Sequence, residues 1–240
     1  MHRSLLQTAA LCFICLFATL ARGGETIDGV VATVNGVPLL HSDVDDALRF
    51  EAFLQQRSVA LLTAGDREFA FQRLIDRELL RQEMPSDFAI APEEVSRQLA
   101  NVRSQFSGAE TADAWSRILA SYGLTEQTVD ERVSDQLRVL VFIDFRLRAA
   151  VRIDDEAVAA YYNETLVPKL KQMNAPVDPL ARVSSKIEQL LIQKRMDELL
   201  AVWVANLRSQ SQISVMSGPQ TWEPTHSGKI SSTLTRTEGK

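Results

Sequence analysis

IDGVVATVNGVPLLHSDVDDAL, residues 27–48, sets two apolar runs about an Asn-Gly pair and then changes period. Val30 to Val34 is β-branched apart from Ala32, and Val37-Pro38-Leu39-Leu40 follows Asn35-Gly36. Both turn residues tolerate positive φ, so the pair predicts a tight hairpin. Pro38 cannot donate to a ladder, which places its strand at a sheet edge or leaves it very short. Ser42 and three aspartates, Asp43, Asp45 and Asp46, come next. Residues in a helix step by roughly 100° each, so these carboxylates do not converge on one point. Ser42 with Asp45 three positions on matches a capping box. Asp43 and Asp46 then lie in the first turn, where a negative charge offsets the helix dipole by about 0.3–1 kcal/mol.

From Ser42 onward the periodicity is helical. A first helix is predicted from about Asp43 to Leu62, ended by Thr63-Ala64-Gly65 with Gly65 in the left-handed region. Asp66 is the expected cap of a second helix, which carries Phe69, Phe71, Leu74, Ile75, Leu79 and Leu80 and stops at Pro85. Ala91-Pro92-Glu93-Glu94 opens a third, with proline in the first turn. A shorter helix carries Trp115, Ile118, Leu119 and Tyr122 and ends at Gly123. Thr125 caps a long one, whose VLVFI stretch (139–143) is apolar on every side. That pattern predicts a helix buried all round, with a buried strand as the alternative. A helix starting at Asp154 or Asp155 leads into a broken stretch with prolines at 168, 176 and 179. Asp178-Pro179 opens the last helix, about 180–208, whose broad apolar surface should meet more than one neighbour. Ile213 and Val215 mark a short strand, expected to return and pair with the hairpin. The fold class is therefore mainly α: a multi-helix core with a small N-terminal β-hairpin joined by a C-terminal strand.

The 240 residues are 45% hydrophobic and 24% charged, which suits a globular core, and no long repeat is visible. Residues 1–21 read as a signal peptide: a weakly positive start, an apolar run from Leu5 to Leu20, then Ala21. A retained N-terminal anchor is the alternative. Cys12 and Cys15, the two cysteines, would leave with the leader, so the mature chain would hold no disulfide or thiolate metal site. Only Arg3 is lost among the charged residues, taking the formal charge from −5 to −6. Such an acidic chain is a poor candidate for binding nucleic acid. No second span of 18 apolar residues occurs, so no stable membrane insertion is expected after cleavage. The domain is expected to span 25–216, and the polar stretch 217–240 reads as a disordered tail.

Catalytic chemistry is sparse. Beyond the leader the histidines are His41 and His226, and a serine nucleophile would need His41 as its base. No zinc-binding helix pattern, calcium loop or Gly-rich phosphate loop is present, and no metal or cofactor is expected.

An ordered series of segments adds a resemblance. VVATVNGVPLLHSDVD, LIDRELLRQEM (74–84), IAPEEVSRQLANV, GLTEQTVDERVSDQLRV and IDDEAVAAYYNE occur in that order, and the last helix ends near WVANLRSQSQISV. The series resembles the N-terminal chaperone domain of the SurA family of periplasmic chaperones, over about residues 27–216. That family usually carries one or two parvulin-type prolyl isomerase domains between the YY helix and the final helix. Here only LVPKLKQMNAPVDP and its borders stand in that place, so the resemblance implies the chaperone core without isomerase activity.

The expectation is then a periplasmic, ATP-independent chaperone. Its partners would be unfolded polypeptides, chiefly precursors of outer-membrane β-barrels. They would bind an apolar groove between the N-terminal helices and the final helix. Phe50, Phe53, Phe69, Trp115, Tyr122 and Trp203 are the candidate wall residues. Composition does not separate wall from core. The alternative is an interaction module that uses the same surface for a homodimer or one dedicated partner. An isomerase whose catalytic domain comes from another chain is a third reading.

Overall fold

The computed structural model describes residues 28–216. The expected leader, its two cysteines and the polar tail lie outside the described residues. Strands β1 (Val30–Val34) and β2 (Val37–Leu40) form the hairpin, with Asn35 at φ 51° and Gly36 at φ 85°. Two successive positive φ values make the primed turn that the Asn-Gly pair predicts. Strand β3 (Ile213–Val215) returns antiparallel to β1, pairing Val34 with Ile213 and Ala32 with Val215. The order is β2-β1-β3, so Pro38 does lie on an edge strand.

Helix α1 (His41–Leu54) starts earlier than predicted. Leu40 is its N-cap residue, and the Asp43 carboxylate accepts from the Leu40 N–H at 2.8 Å. Ser42 lies inside the first turn, where its N–H and hydroxyl both donate to Asp28. Asp45 instead pairs with Arg49 one turn on at 2.9 Å, and Asp46 with Arg132 at 3.3 Å. The aspartates diverge as the geometry required, but the capping box is built on Asp43, not on Ser42 and Asp45. The helix also stops at Leu54, short of Leu62, because Gln56 takes the left-handed conformation at φ 52°. A single 3-10 turn (Val59–Leu61) follows.

Gly65 is within helix α2 (Ala64–Gln82) and ends nothing. Thr63 is the cap, and its hydroxyl accepts from the Asp66 N–H at 3.2 Å. Asp66 reaches back to the Thr63 N–H at 2.8 Å and also binds Arg57 at 2.8 Å. The Arg57 guanidinium first, and then these Thr63 donors, hold the Asp66 carboxyl well below the usual carboxylate range. A depressed folded-state pKa stabilises above the unfolded value near 3.8, and that stabilisation is lost as pH falls below it. Denaturation midpoints followed from pH 6 into acid should therefore fall less steeply in Asp66→Asn than in the wild type. Parallel curves would remove Asp66 from the acid response.

Helices α3 (Pro92–Ser104), α4 (Ala112–Ser121) and α5 (Glu126–Arg148) follow. Pro92 occupies the first turn of α3 as predicted. Thr111 and Thr125 cap α4 and α5 through bonds of 3.2 Å and 3.1 Å. Gly123, at φ 70°, turns the chain between them. VLVFI is helical but not enclosed: Val139, Phe142 and Ile143 are buried, whereas Leu140 is 55% exposed.

The stretch expected to be broken is largely helical. Helix α6 (Asp155–Tyr161) passes through a π turn (Tyr162–Leu166) into α7 (Val167–Gln172). Proline inside a helix lacks a donor and crowds the preceding turn. The wide turn, closed by a bond from the Val167 N–H to the Tyr162 carbonyl, absorbs Pro168. Helix α8 (Leu180–Gln210) begins after Pro179, and Asp178 pairs with Arg182 at 2.8 Å instead of capping. Its 31 residues span about 46 Å. Its N-terminal half packs on α6, with Val158 and Ile187 buried, and its C-terminal half packs on α2 and α5.

Three small cores result. The sheet buries Val31, Val34 and Leu39 against Phe71, Ile75 and Leu79 of α2. The ends of α1 and α3 close with α4 and α5 around Phe50, Phe53, Trp115 and Leu119. Leu80, Val139, Ile143 and Met196 join α2, α5 and α8. α2 therefore links the first core to the third. At its end, Glu78 is buried and accepts from Arg81 at 2.6 Å and from Gln82 at 2.7 Å.

Candidate functional site

The six residues expected to line a groove fall into three different settings. Phe53 is 0% exposed and stacks on Phe106 at 4.8 Å, with Trp115 at 5.9 Å and the edge of Tyr122 at 5.6 Å. Phe50 and Trp115 are buried in the same cluster, and Tyr122 is half-buried against it. A side chain already covered on every side has no area to offer a ligand. In this conformation Phe50, Phe53 and Trp115 are core residues and not a wall. Phe69 is 67% exposed on α2 and stands apart from them. Trp203 is half-buried on α8, its ring 5.9 Å from Phe142 of α5.

The seam between α2 and α8, where the groove was expected, is closed. Arg208 donates to Asp76 at 2.5 Å and to the Gln72 side chain and carbonyl at 3.0 Å each. Leu80 and Met196 fill the other end. The large hollow lies elsewhere, between residues 86–99 and α5. It is an open cleft of about 780 Å³. Phe88, Ile90, Val95 and Leu99 supply its apolar lining, and Asp130, Glu131, Ser134 and Arg138 face them from α5.

Phe88 connects this cleft to a row of aromatic rings. It meets Phe142 edge-on at 5.4 Å and lies 6.3 Å from Phe145. Phe142 then reaches Trp203. Phe145 is 72% exposed, an arrangement that leaves a large apolar ring facing solvent. Of this row, the sequence pattern marks Trp203 and, within VLVFI, Phe142. Phe88 belongs to no helical stripe, and its one signal is the pairing of two large apolar residues, Phe88 and Ile90, in an otherwise short polar linker. Phe145 is hidden among the apolar positions of a helix that also has a true core face.

The His41 N–H donates to the Gly29 carbonyl at 2.9 Å, and its ring lies so close that a Cβ at Gly29 would meet it at 2.9 Å. Among the described residues no cluster could hold a metal ion, and no helix is long and apolar enough to cross a membrane.

The described residues form a mainly helical body closed by a returning strand, with an open cleft on its side. The model of the SurA-like N-terminal domain matches residues 2–140, more than half of the chain, and the chain belongs to that family. The match ends inside α5, so α6 to β3 lie beyond it. No curated protein matches the sequence.

Proposed function

We propose that this protein is a periplasmic holdase that binds unfolded polypeptides, outer-membrane β-barrel precursors foremost, without nucleotide and without prolyl isomerase activity. One observation carries the reading: in a SurA-like domain, an open cleft with apolar lining leads through half-buried Phe88 to Phe145, a ring left 72% exposed on α5. Rings presented on a rigid scaffold offer large apolar area at little entropic cost, and they suit clients that share composition more than sequence. Trp203, Tyr122 and Phe69, of the residues singled out by sequence, keep accessible surface; Phe88 and Phe145 join them. The short connection through α7 leaves no room for an isomerase module between α6 and α8.

The test is aggregation of a denatured β-barrel protein followed by light scattering. The wild type should suppress scattering at near-stoichiometric amounts in the absence of nucleotide. Phe145→Ser should weaken suppression by about three- to tenfold, the effect of losing one exposed aromatic contact of about 1 kcal/mol. Its fold should stay intact, because the ring faces solvent. Proline-peptide turnover should match background. The holdase reading fails if scattering is unchanged while the protein sediments as a tight homodimer through the same face.

A further inference from the structure

The cleft is not only apolar. Asp87, Asp130 and Glu131 line it against a single cation, Arg138. A second hollow of about 250 Å³ shares Leu99 and Asp130 with it and adds Glu126. The cation of that second hollow, Arg103, is committed: it donates to the Ala109 carbonyl at 2.7 Å and covers the Trp115 ring at 5.5 Å. Among the described residues no cation pairs with Asp87 or Asp130, and Glu131 is met only by the neutral Gln127 amide at 2.9 Å. Partial burial first, and then neighbouring Glu126, push the Asp130 carboxyl upward, as expected of a carboxylate short of positive charge.

Building on the holdase reading, we infer that this cleft selects client segments in which a lysine or arginine lies next to an apolar or aromatic residue. The chemistry of the walls dictates that choice. A long cationic side chain lays its aliphatic stem along Ile90, Val95 and Leu99 and keeps its charged head among the carboxylates. The adjacent apolar residue meets Phe88 and, through it, the exposed ring of Phe145. An acidic segment of equal apolar content meets three carboxylates against the single Arg138, an excess of like charge that disfavours it. The aromatic row supplies general affinity, and the acidic cleft chooses among clients.

The experiment uses fluorescein-labelled peptides of about 12 residues that alternate Phe with Lys, or with Glu in place of each Lys, read by anisotropy at low salt. The purified protein should bind the Lys peptide at least about tenfold more tightly than the Glu peptide, and added salt should shrink that ratio by screening. Asp130→Asn combined with Glu131→Gln keeps the shape of the cleft. It should bring the ratio below about threefold. Asp87→Asn at the opposite wall should lower the ratio independently. Equal affinity of the two peptides, or an unchanged ratio in the double variant, overturns the proposal. A preference that appears only after removal of residues 217–240 also overturns it, because the occupant is then the chain's own tail. The two readings fail separately. Aggregation suppressed without charge preference sinks the cleft assignment alone. Charge preference without suppression sinks the holdase alone.

Discussion

Phe53→Ala should lower the free energy of unfolding by about 3–5 kcal/mol, the range for emptying a fully buried aromatic position. The ring has no exposed surface, and four other rings surround it: Phe106 stacked at 4.8 Å, Tyr122 at 5.6 Å, Trp115 at 5.9 Å and Phe50 at 6.1 Å. Those residues come from α1, from the chain just past α3, and from α4 with its C-terminal cap. Their backbones are held by separate helices and cannot collapse together into the space, so most of the cavity should persist. Urea denaturation of the variant measures the loss. Phe69→Ala, on an exposed position of α2, is the control and should change stability by no more than about 0.5 kcal/mol. A loss below about 1 kcal/mol at Phe53 would show a yielding cluster, and the groove-wall role for Phe50, Phe53 and Trp115 would return.

Ending the chain after Gln210 should cost about 2–4 kcal/mol, from several hydrogen bonds near 1 kcal/mol each and the burial of Ile213. Strand β3 goes, and with it the bonds from the Asn35 N–H to the Gln212 carbonyl at 2.9 Å and from the Met216 N–H to the Val31 carbonyl at 2.9 Å. The Asn35 side chain loses more. Its amide oxygen accepts from the Gln212 N–H at 2.8 Å, and its nitrogen donates to Ser211 at 3.2 Å and to Gln82 at 2.7 Å. Gln82 also donates to the Val34 carbonyl at 3.2 Å, so the turn, α2 and the returning strand form one polar clasp. Val34 and Ala32, both fully buried, then lose a covering strand. A chain ending after Met216 keeps β3 and is the reference for the shorter one. Denaturant midpoints that are equal for all three chains would show that the clasp contributes nothing. Early hydrogen exchange confined to β1 and β2 would place the damage in the sheet.

Much of the fold is local in origin and is therefore visible in the chain. Asn35-Gly36 demands positive φ at both residues, and the hairpin forms there. Pro92, Thr125 and Asp154 satisfy helix starts from within their own turn. Ile213 and Val215 alternate beside a hairpin that otherwise lacks a neighbour, and β3 pairs where that pattern points. Boundaries are less visible wherever two local solutions compete. Asp66 and Thr63 both suit a cap; the structure puts Thr63 at the cap and Asp66 at the third helical position, in a reciprocal capping box that Arg57 joins from outside the helix. Pro168 signals a break, but a π turn lets the backbone absorb it.

The binding surface obeys a different logic. Phe53 and Phe145 are both phenylalanines on apolar stretches of helices, and their neighbours in sequence do not tell them apart. Whether other helices cover the ring makes the difference: Phe106, Trp115 and Tyr122 close over Phe53, while Phe145, with Phe88 beside it, stays 72% exposed. The opening stretch follows the same division. Its Asn-Gly hairpin and the divergence of its aspartates are set by dihedral preference and helical spacing, and the sequence by itself determined them; the helix start at His41, capped at Leu40 through Asp43, was not read from it. The partners of those residues were decided by the tertiary structure alone: Asp28 for Ser42, Arg132 for Asp46, and Gln82 with Ser211 and Gln212 for Asn35. Local periodicity records that a face is apolar. Only the packing of distant helices determines whether that face becomes core or remains open to bind.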